Sequence, residues 1–499
     1  MQTYNSKDWS FAELRDALGP NEWNQLSIIL SRLERGNSEV LITPVAERVG
    51  PDVLFDEWVK IFDEHSNLMN DVLIGIEEGE RDKYGPRSVA KPFSEIEDTV
   101  LSSFTNATTS CDHLSNLPLK SSDKGILRPM SVDNAVKLIK LSTNAGLPTL
   151  GKKRNALAET LQDLDSMYSQ NWPLVPFVRT EDSGKTRLVQ GMPLSDIIQE
   201  TRFFEPLFGY YRKLNHFSAM NGPESVNTAM TYLLSETVRL GQKCVSGDIT
   251  AFDTTFGISL QDKVFDEMSY LFQGGMNYSL LYEIRYRFGH KGLVLPGYVK
   301  NGPHGIPSGS RGTNLVGSVG NDKVLGQPLR QVLGDDFASA SSEPDIIFKR
   351  YADCGMELNP SKTVIADDHY LYLRMLFHPD YMRRSEVVGV YPTFRALRHL
   401  VYPPSFAQFE SFDIAGKDYF SIRSLSILEN CKYHPLFEEL VKLWLKYDKY
   451  GLPSEGSLRK YVLYIRETTG ATGTTNQYGS DPRGLTNFES YKLAVKLST

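Results

Sequence analysis

The sequence predicts a mixed α+β protein of more than one lobe, with short strands in the middle of the chain and helical segments on either side. Three observations predict it. Lys243–Asp248 and Val332–Phe337 are short stretches with apolar residues that meet aspartates at Asp248 and at Asp335-Asp336, as strands ending in turns do. Apolar side chains fall at helical spacing before and after them: Phe55, Trp58, Val59 and Phe62 in the first part, Phe437, Leu440, Val441 and Trp444 in the last. The chain has 499 residues, well beyond the ~100–200 of one domain.

The stretch Val332-Leu333-Gly334-Asp335-Asp336-Phe337 reads as the turn of a β-hairpin. Glycine permits the bend, the apolar flanks suit short buried strands, and the bend presents both aspartates at its tip. Adjacent carboxylates repel each other, so a cation is their natural partner, and oxygen-only donors suit Mg²⁺ or Mn²⁺. The competing reading is a polar loop tip whose acids face water.

Hydrophobic residues make up 40% of the chain and charged ones 23%, the balance of a soluble globular protein. No uncharged apolar run is long enough to span a bilayer, and the start, Met1-Gln2-Thr3-Tyr4, lacks a signal-peptide pattern, so the expectation is a soluble, intracellular protein. Cys111, Cys244, Cys354 and Cys431 are scattered without zinc or redox spacing and read as reduced packing residues. A net charge of −7 excludes a generally basic nucleic-acid coat; any polyanion must bind in a locally basic channel.

In chain order, the first region is helical and acid-rich. Between Asp52 and Asp82 ten acids stand against Lys60 and Arg81, which reads as a solvated helical face. The character changes at Leu141–Pro148, a turn-forming loop containing Thr143, Asn144 and Gly146 and followed by Lys152-Lys153-Arg154; such a pairing can guide a phosphate backbone. Val178–Val189 then places Gly184 in a turn before alternating basic and small residues. With Lys185–Val189 extended, Lys185 and Arg187 share a face and can hold a triphosphate, arginine as a fork and lysine as a point charge. Gly184-Lys185-Thr186 is not a P-loop, because Arg179 stands where the first glycine belongs.

Asp248 ends a strand, and a helix begins near Asp253, whose carboxylate is either functional or an N-cap. Beside the Gly334-Asp335-Asp336 hairpin, Asp248 would complete a three-acid metal cage. His304–Thr313 is a small-residue loop holding Ser308, Gly309 and Thr313; it lets backbone approach a base pair or sugar, and a helix follows from Asn314 to Val324. After the hairpin, a helix over Asp345–Tyr351 leads into Gly355–Ile365. Asp367-Asp368 is a second acid pair without a preceding glycine and reads as a surface turn, while His369 and the other histidines show no ligand spacing and read as structural. From Pro379 the chain is helical again, with Leu436–Tyr450 stopped by Gly451 and Pro453; Thr468–Asn487, rich in Thr, Gly and Asn, reads as a mobile loop or tail.

Taken in order, these segments resemble the palm and fingers of viral RNA-dependent RNA polymerases, most nearly those of double-stranded RNA viruses of the picobirnavirus and partitivirus kind. Asp248-x-x-x-x-Asp253 is similar to motif A, Ser308-Gly309-x-x-x-Thr313 to motif B and Gly334-Asp335-Asp336 to motif C. Gly355 through Lys362 resembles motif D, Tyr372-Leu373-Arg374 motif E, Arg179 with Lys185-Thr186-Arg187 motif F, and Thr143-Asn144-Ala145-Gly146 motif G. The likeness spans residues 140–377.

The resemblance implies an α+β right-hand polymerase. Residues 1–125 would form an N-terminal helical region bridging fingers and thumb, 126–240 the fingers, 241–377 a palm with a finger insertion and an antiparallel sheet flanked by helices, and 378–499 the thumb and a C-terminal loop or tail. It implies a nucleotidyltransferase that replicates and transcribes a viral double-stranded RNA genome. The 3′-hydroxyl of growing RNA would attack the α-phosphate of a nucleoside triphosphate and release pyrophosphate, with two Mg²⁺ (or Mn²⁺) ions about 3.5–4 Å apart. By resemblance, Asp248, Asp335 and Asp336 hold metal and Lys362 donates a proton to pyrophosphate. Arg179, Lys185 and Arg187 bind the triphosphate, and Asp253, Ser308, Gly309, Thr313 and Asn321 meet the nucleotide and its 2′-hydroxyl. Thr143, Asn144 and Gly146 would meet the template. Implied partners are template and product RNA, nucleoside triphosphates and a viral capsid protein, with no membrane; the implied state is a monomer, in the virion interior and host cytoplasm.

Two departures stand out. The family commonly has Asn where this chain has Gly317, which moves ribose selection onto Asp253, Ser308 and Thr313 with Asn314 or Asn321. The interval from Asn321 to Gly334 is short, which implies a shortened helix or an altered exit. Two rival readings remain at this level. A reverse transcriptase shares the palm and acid pair but usually has a bulky apolar ribose gate in place of Asp253. A non-catalytic RNA-binding virion protein with a polymerase-like palm would bind RNA without metal or turnover.

Overall fold

The computed structural model describes residues 7–111, 114, 121–180, 185–274, 276–405, 413–461 and 484–498. The turn at Glu181–Gly184 and residues 468–483 of the segment expected to be mobile lie outside them. The strands are β1 (Val175–Thr180), β2 (Thr186–Gly191), β3 (Lys243–Gly247), β4 (Leu293–Leu295), β5 (Tyr298–Lys300), β6 (Arg330–Leu333), β7 (Asp336–Ser341), β8 (Val364–Ala366), β9 (Tyr370–Tyr372), β10 (Met375–Phe377), β11 (Met382–Arg383) and β12 (Glu386–Val387).

At the centre lies a four-stranded sheet of order β6-β7-β3-β8, antiparallel throughout. Its inner strands carry small residues, Ser246, Ala338, Ser339 and Ala340 among them, all buried. Small side chains bring helices close to both faces. On one face Phe203, Phe204, Phe256, Phe265, Val316 and Val319 pack into a core with Val245 and Phe337. On the other, Met230 and Leu233 of the Pro223–Arg239 helix meet Cys244, Ala338, Ala340, Tyr370 and Tyr372. All four cysteines are buried and none forms a disulfide, as the scattered pattern implied.

The N-terminal residues join two cores. Leu14, Leu26 and Leu30 pack with Trp172 and Val175 of the β1 region, whereas Leu54, Trp58, Phe62 and Leu73 pack with Phe394, Leu397, Leu440 and Trp444 of the C-terminal helices. The chain leaves the first core for the second past Asn37 and leaves the second past Ala90 for a third, around Phe93, Ile96 and Leu174, and the two passes pair: Asn37 N–H donates to Ala90 O at 2.8 Å and Ala90 N–H to Asn37 O at 2.7 Å. Among the described residues no helix is long and apolar enough to cross a membrane.

Two expectations need correction. The acid-rich N-terminal stretch is not solvated throughout, because Glu77 is wholly buried. Its carboxylate accepts the backbone N–H groups of Thr393 (2.6 Å) and Phe394 (3.1 Å) and the Thr393 hydroxyl (2.6 Å), and His434 Nε2 stands 3.0 Å away. It supplies the anion that the N-terminus of the Thr393–Val401 helix lacks in its own Pro392 cap. Nor is the chain helical directly from Pro379; the β11–β12 hairpin comes first, and the helix starts at Thr393.

Removing that anion is costly, since it orphans buried donors. Glu77→Ala is expected to destabilise the chain by about 3 kcal/mol, seen as a lower urea midpoint. Asp56→Ala, at an exposed position on the preceding helix, is expected to stay within about 0.5 kcal/mol.

Candidate active site

The register of the central sheet gathers the acids. Strand β3 pairs with β7 up to Gly247 opposite Phe337, so the next step sets Asp248 against Asp336. The β6–β7 hairpin closes at Leu333 opposite Asp336, which leaves Gly334 and Asp335 as its turn. Gly334 sits at φ +59°, a conformation that favours glycine. Only Asp335 is therefore at the tip; Asp336, expected beside it, is the first residue of β7.

The turn is held from behind. Ser318 Oγ accepts the Gly334 N–H at 2.7 Å, and Asn321 Nδ2 donates to the Gly334 carbonyl at 2.8 Å. Asn321 Oδ1 in turn accepts the Tyr351 hydroxyl. Both clamping residues project from the Thr313–Leu325 helix, one turn apart on the face toward the hairpin. The short interval after that helix is managed by Gly326, whose N–H bonds Asp322 O at 3.0 Å as a left-handed cap, and by Arg330, whose guanidinium grips the Asp322 carboxylate.

Asp335 and Asp336 are both shifted upward, first because burial disfavours their charge. Asp335's charge raises Asp336 further, and Arg187 and Arg374 oppose the shift at Asp335. Asp248 is engaged by an ammonium, Lys362 Nζ, 2.9 Å from its Oδ2. Asp248 and Asp335 line one cavity, whereas Asp336, expected to share the metal, is not among its lining residues; the two lining carboxylates offer oxygen donors of the kind a divalent cation takes. Lys362 reaches Asp248 because its segment runs alongside: Asn359 N–H bonds Asp248 O and Thr250 N–H bonds Glu357 O.

A basic wall faces these acids. In the β1–β2 hairpin Arg179 is directly opposite Arg187, with Lys185 just before β2. Like charges so placed repel each other and suit a polyanion between them. Arg179, Lys185, Arg187, Asp248, Asp253, Ser308, Thr313, Asp335 and Lys362 all line one cavity of about 1350 Å³. Asp253 is not an N-cap; Ala251 holds that position, at φ +50°.

Other predicted residues fall elsewhere. Gly309 lies behind the cavity wall, where a Cβ would stand 1.8 Å from Gln190 O; it lets the Ser308 loop dock on β2, with Ser308 Oγ accepting the Gln190 N–H at 3.0 Å. Asn321 does not reach the cavity: it is fully buried and its amide is spent on Gly334 and Tyr351. Asn314 lines the cavity instead. Thr143, Asn144 and Gly146 are outside it; Asn144 Oδ1 accepts the Gly146 N–H at 2.8 Å, and Thr143 Oγ1 accepts from Lys153 Nζ at 2.9 Å. Asp367 pairs with Lys243 at 2.5 Å on the surface, and Asp368 also stays outside the cavity.

Arg374 was not singled out as a site residue, yet it lines the cavity and its charge reaches both Asp335 and Asp336. It occupies the turn of the β9–β10 hairpin with Leu373, at φ +54° and +64°. Such turns favour Asn-Gly, so two larger side chains at positive φ are a strained choice of the kind retained at functional sites. That mismatch is the signal in the sequence.

Comparison with known proteins agrees with this geometry. Residues 97–387 match the family model for viral RNA-dependent RNA polymerase. A human picobirnavirus protein (strain Human/Thailand/Hy005102/-), described as a potential RNA-dependent RNA polymerase, is 27% identical over 93% of this chain and 96% of its own length. The crystal structure of the RNA-dependent RNA polymerase of a human picobirnavirus superposes with a TM-score of 0.80 at 23% identity, covering 97% of this chain and 100% of that one. Its insertion loop deletion mutant superposes with a TM-score of 0.79 over the same shares.

The Lys362–Asp248 pair competes with any cation at the acids. Lys362→Met is expected to tighten Mn²⁺ binding about two- to fivefold, the worth of a partly exposed ion pair. Asp335→Asn is expected to weaken it by tenfold or more, on the order of 1.4 kcal/mol. Titration calorimetry without other substrates reads both.

Proposed function

The chain belongs to the viral RNA-dependent RNA polymerase family and is an RNA-directed nucleotidyltransferase; from that premise we propose that it copies RNA at the cavity bounded by Asp248, Asp335, Arg187 and Lys362, replicating and transcribing the genome of a picobirnavirus-like double-stranded RNA virus. The observation that carries the assignment is the opposition, across one cavity, of the carboxylates Asp248 and Asp335 and the basic β1–β2 hairpin. The reverse-transcriptase and non-catalytic readings give way to the family match.

Arg179, Lys185 and Arg187 bind the triphosphate of the incoming nucleotide and orient its α-phosphate toward the 3′-hydroxyl of the growing strand. The α-phosphorus–oxygen bond to that hydroxyl forms, its proton passing to solvent, as the bond to pyrophosphate breaks. Asp248 and Asp335 would hold Mg²⁺, with Asp336 behind them in an assisting role, and the ion when bound supplies Lewis-acid stabilisation of the attacking and leaving oxygens. Lys362 leaves Asp248 and delivers a proton from Nζ to the departing pyrophosphate. Asp253 accepts a hydrogen bond from the ribose 2′-hydroxyl, with Ser308, Thr313 and Asn314 on the adjoining wall. Gly309 serves by docking the Ser308 loop, Asn321 by holding the metal-side turn. Arg374 offers a cation to RNA phosphates beside the acids. The Thr143–Gly146 loop, with Lys153 against it, guides the template from outside the cavity.

The same proposal assigns 126–240 to fingers, 241–377 to palm and 378–499 to thumb, with 1–125 bridging. The sharing of N-terminal residues between two cores supports the bridge. The enzyme acts as a monomer and works beside capsid protein in the virion and host cytoplasm, as its resemblance to double-stranded RNA virus polymerases suggests.

Incorporation of labelled ribonucleotides on a single-stranded RNA template with Mg²⁺ tests the reading. The intact chain should make template-dependent product, and Asp335→Ala should lose about a thousandfold, on the order of 4 kcal/mol of transition-state stabilisation. Asp253→Ala should narrow the preference for ribo- over deoxyribonucleotides. Undiminished synthesis by Asp335→Ala would sink the site assignment.

A further inference from the structure

We propose that Asp368, His369 and His378 form a zinc site that clasps the open end of the β9–β10 hairpin. The sequence spacing of the two histidines fits no helical or loop ligand pattern, and reading them as merely structural needs revision because the hairpin brings them together. The ladder pairs Met375 with Tyr372, Leu376 with Leu371 and Phe377 with Tyr370. Continued by one step, it sets His378 against His369. Directly opposed residues hold their Cβ atoms about 4.5–5.5 Å apart, and the two imidazole centroids are 5.8 Å apart.

Asp368 lies between the rings. Its Oδ1 is 2.9 Å from His369 Nδ1 and its Oδ2 is 3.5 Å from His378 Nε2. One ligand atom from each of the three residues falls within 4.8 Å of the others. A tetrahedral ion with bonds of about 2.0–2.2 Å draws such atoms together by small side-chain rotations. Two imidazoles and one carboxylate select zinc over magnesium, which prefers an all-oxygen shell. Water completes the coordination from the solvent side, where Asp368 is 59% exposed.

A supporting shell is present. His378 Nδ1 is 3.4 Å from Asp380 Oδ2, which Asn70 Nδ2 orients at 2.9 Å. Nδ1 also accepts the Asp380 backbone N–H at 3.0 Å. With zinc on Nε2, Nδ1 carries the proton and gives it to the Asp380 carboxylate, so the ring exchanges one Asp380 partner for the other. The clasp thus ties the hairpin to the N-terminal region as well as closing it. At the hairpin's other end stands Arg374, in the strained turn that reaches the cavity.

The test uses the full-length chain, stripped with a chelator and then equilibrated with ZnCl₂ in excess Mg²⁺. Bound zinc is measured by mass spectrometry after desalting, and Co²⁺ substitution reports tetrahedral geometry by its visible absorption. The expected result is one zinc per chain, with affinity about a hundredfold lower in His378→Ala and in Asp368→Ala. Asp368 is exposed, so its variant keeps the fold, and matching circular dichroism melts of the metal-free proteins check this. His65→Ala, at a half-buried histidine elsewhere, should bind zinc like the intact chain. No zinc on the intact chain, or full zinc on both site variants, overturns the proposal.

Discussion

The cavity's chemistry depends on how one glycine is held. Gly334 has its N–H taken by Ser318 and its carbonyl by Asn321, so the turn cannot rock without breaking a hydrogen bond. Because Asp335 belongs to that turn and Asp336 to the strand leaving it, the clamp sets both carboxylates at once. Tyr351 braces Asn321 from the Pro344–Asp353 helix, so the next element along the chain supports the same point. Preorganisation of this kind reduces the rearrangement needed when a substrate arrives.

Electrostatics make the cavity incomplete by itself. The carboxylates Asp248 and Asp335 on one wall and the opposed arginines Arg179 and Arg187 on another each carry internal repulsion. A polyphosphate with its cations relieves both sets together, whereas either charge type alone relieves one. The pair of Lys362 with Asp248, on neighbouring segments, satisfies part of this need. A net charge of −7 is consistent with this arrangement, because Arg179, Lys185 and Arg187 are concentrated on one cavity.

Much of this was legible in the sequence because it depends on local rules. Glycine before paired aspartates gave the hairpin, alternation gave the shared face of Lys185 and Arg187, and Asp248 lay at a strand end. What the sequence concealed depends on tertiary neighbours. Asn321 looked like a nucleotide contact but faces inward, because the register of its helix points it at Gly334. Glu77 looked solvated within an acidic run, yet a helix end nearly 320 positions along the chain lands on it. His369 and His378 become neighbours only once β9 and β10 pair. Gly309 contributes its lack of a side chain, since the wall behind it leaves no room for one.

The two antiparallel passes of the N-terminal chain, joined through Asn37 and Ala90, have a topological consequence. The first runs from the core around Trp172 to the core around Trp444, and the second runs from there to the core around Phe93 and Leu174. Lys91 N–H reaches on to Thr186 of β2 at 2.8 Å. Lys91, Glu95 and Thr186 all line the cavity, so the second pass forms part of its wall. Because one hydrogen bond ties that pass to β2, a displacement of the N-terminal strap is transmitted to the hairpin that carries Arg179 and Arg187.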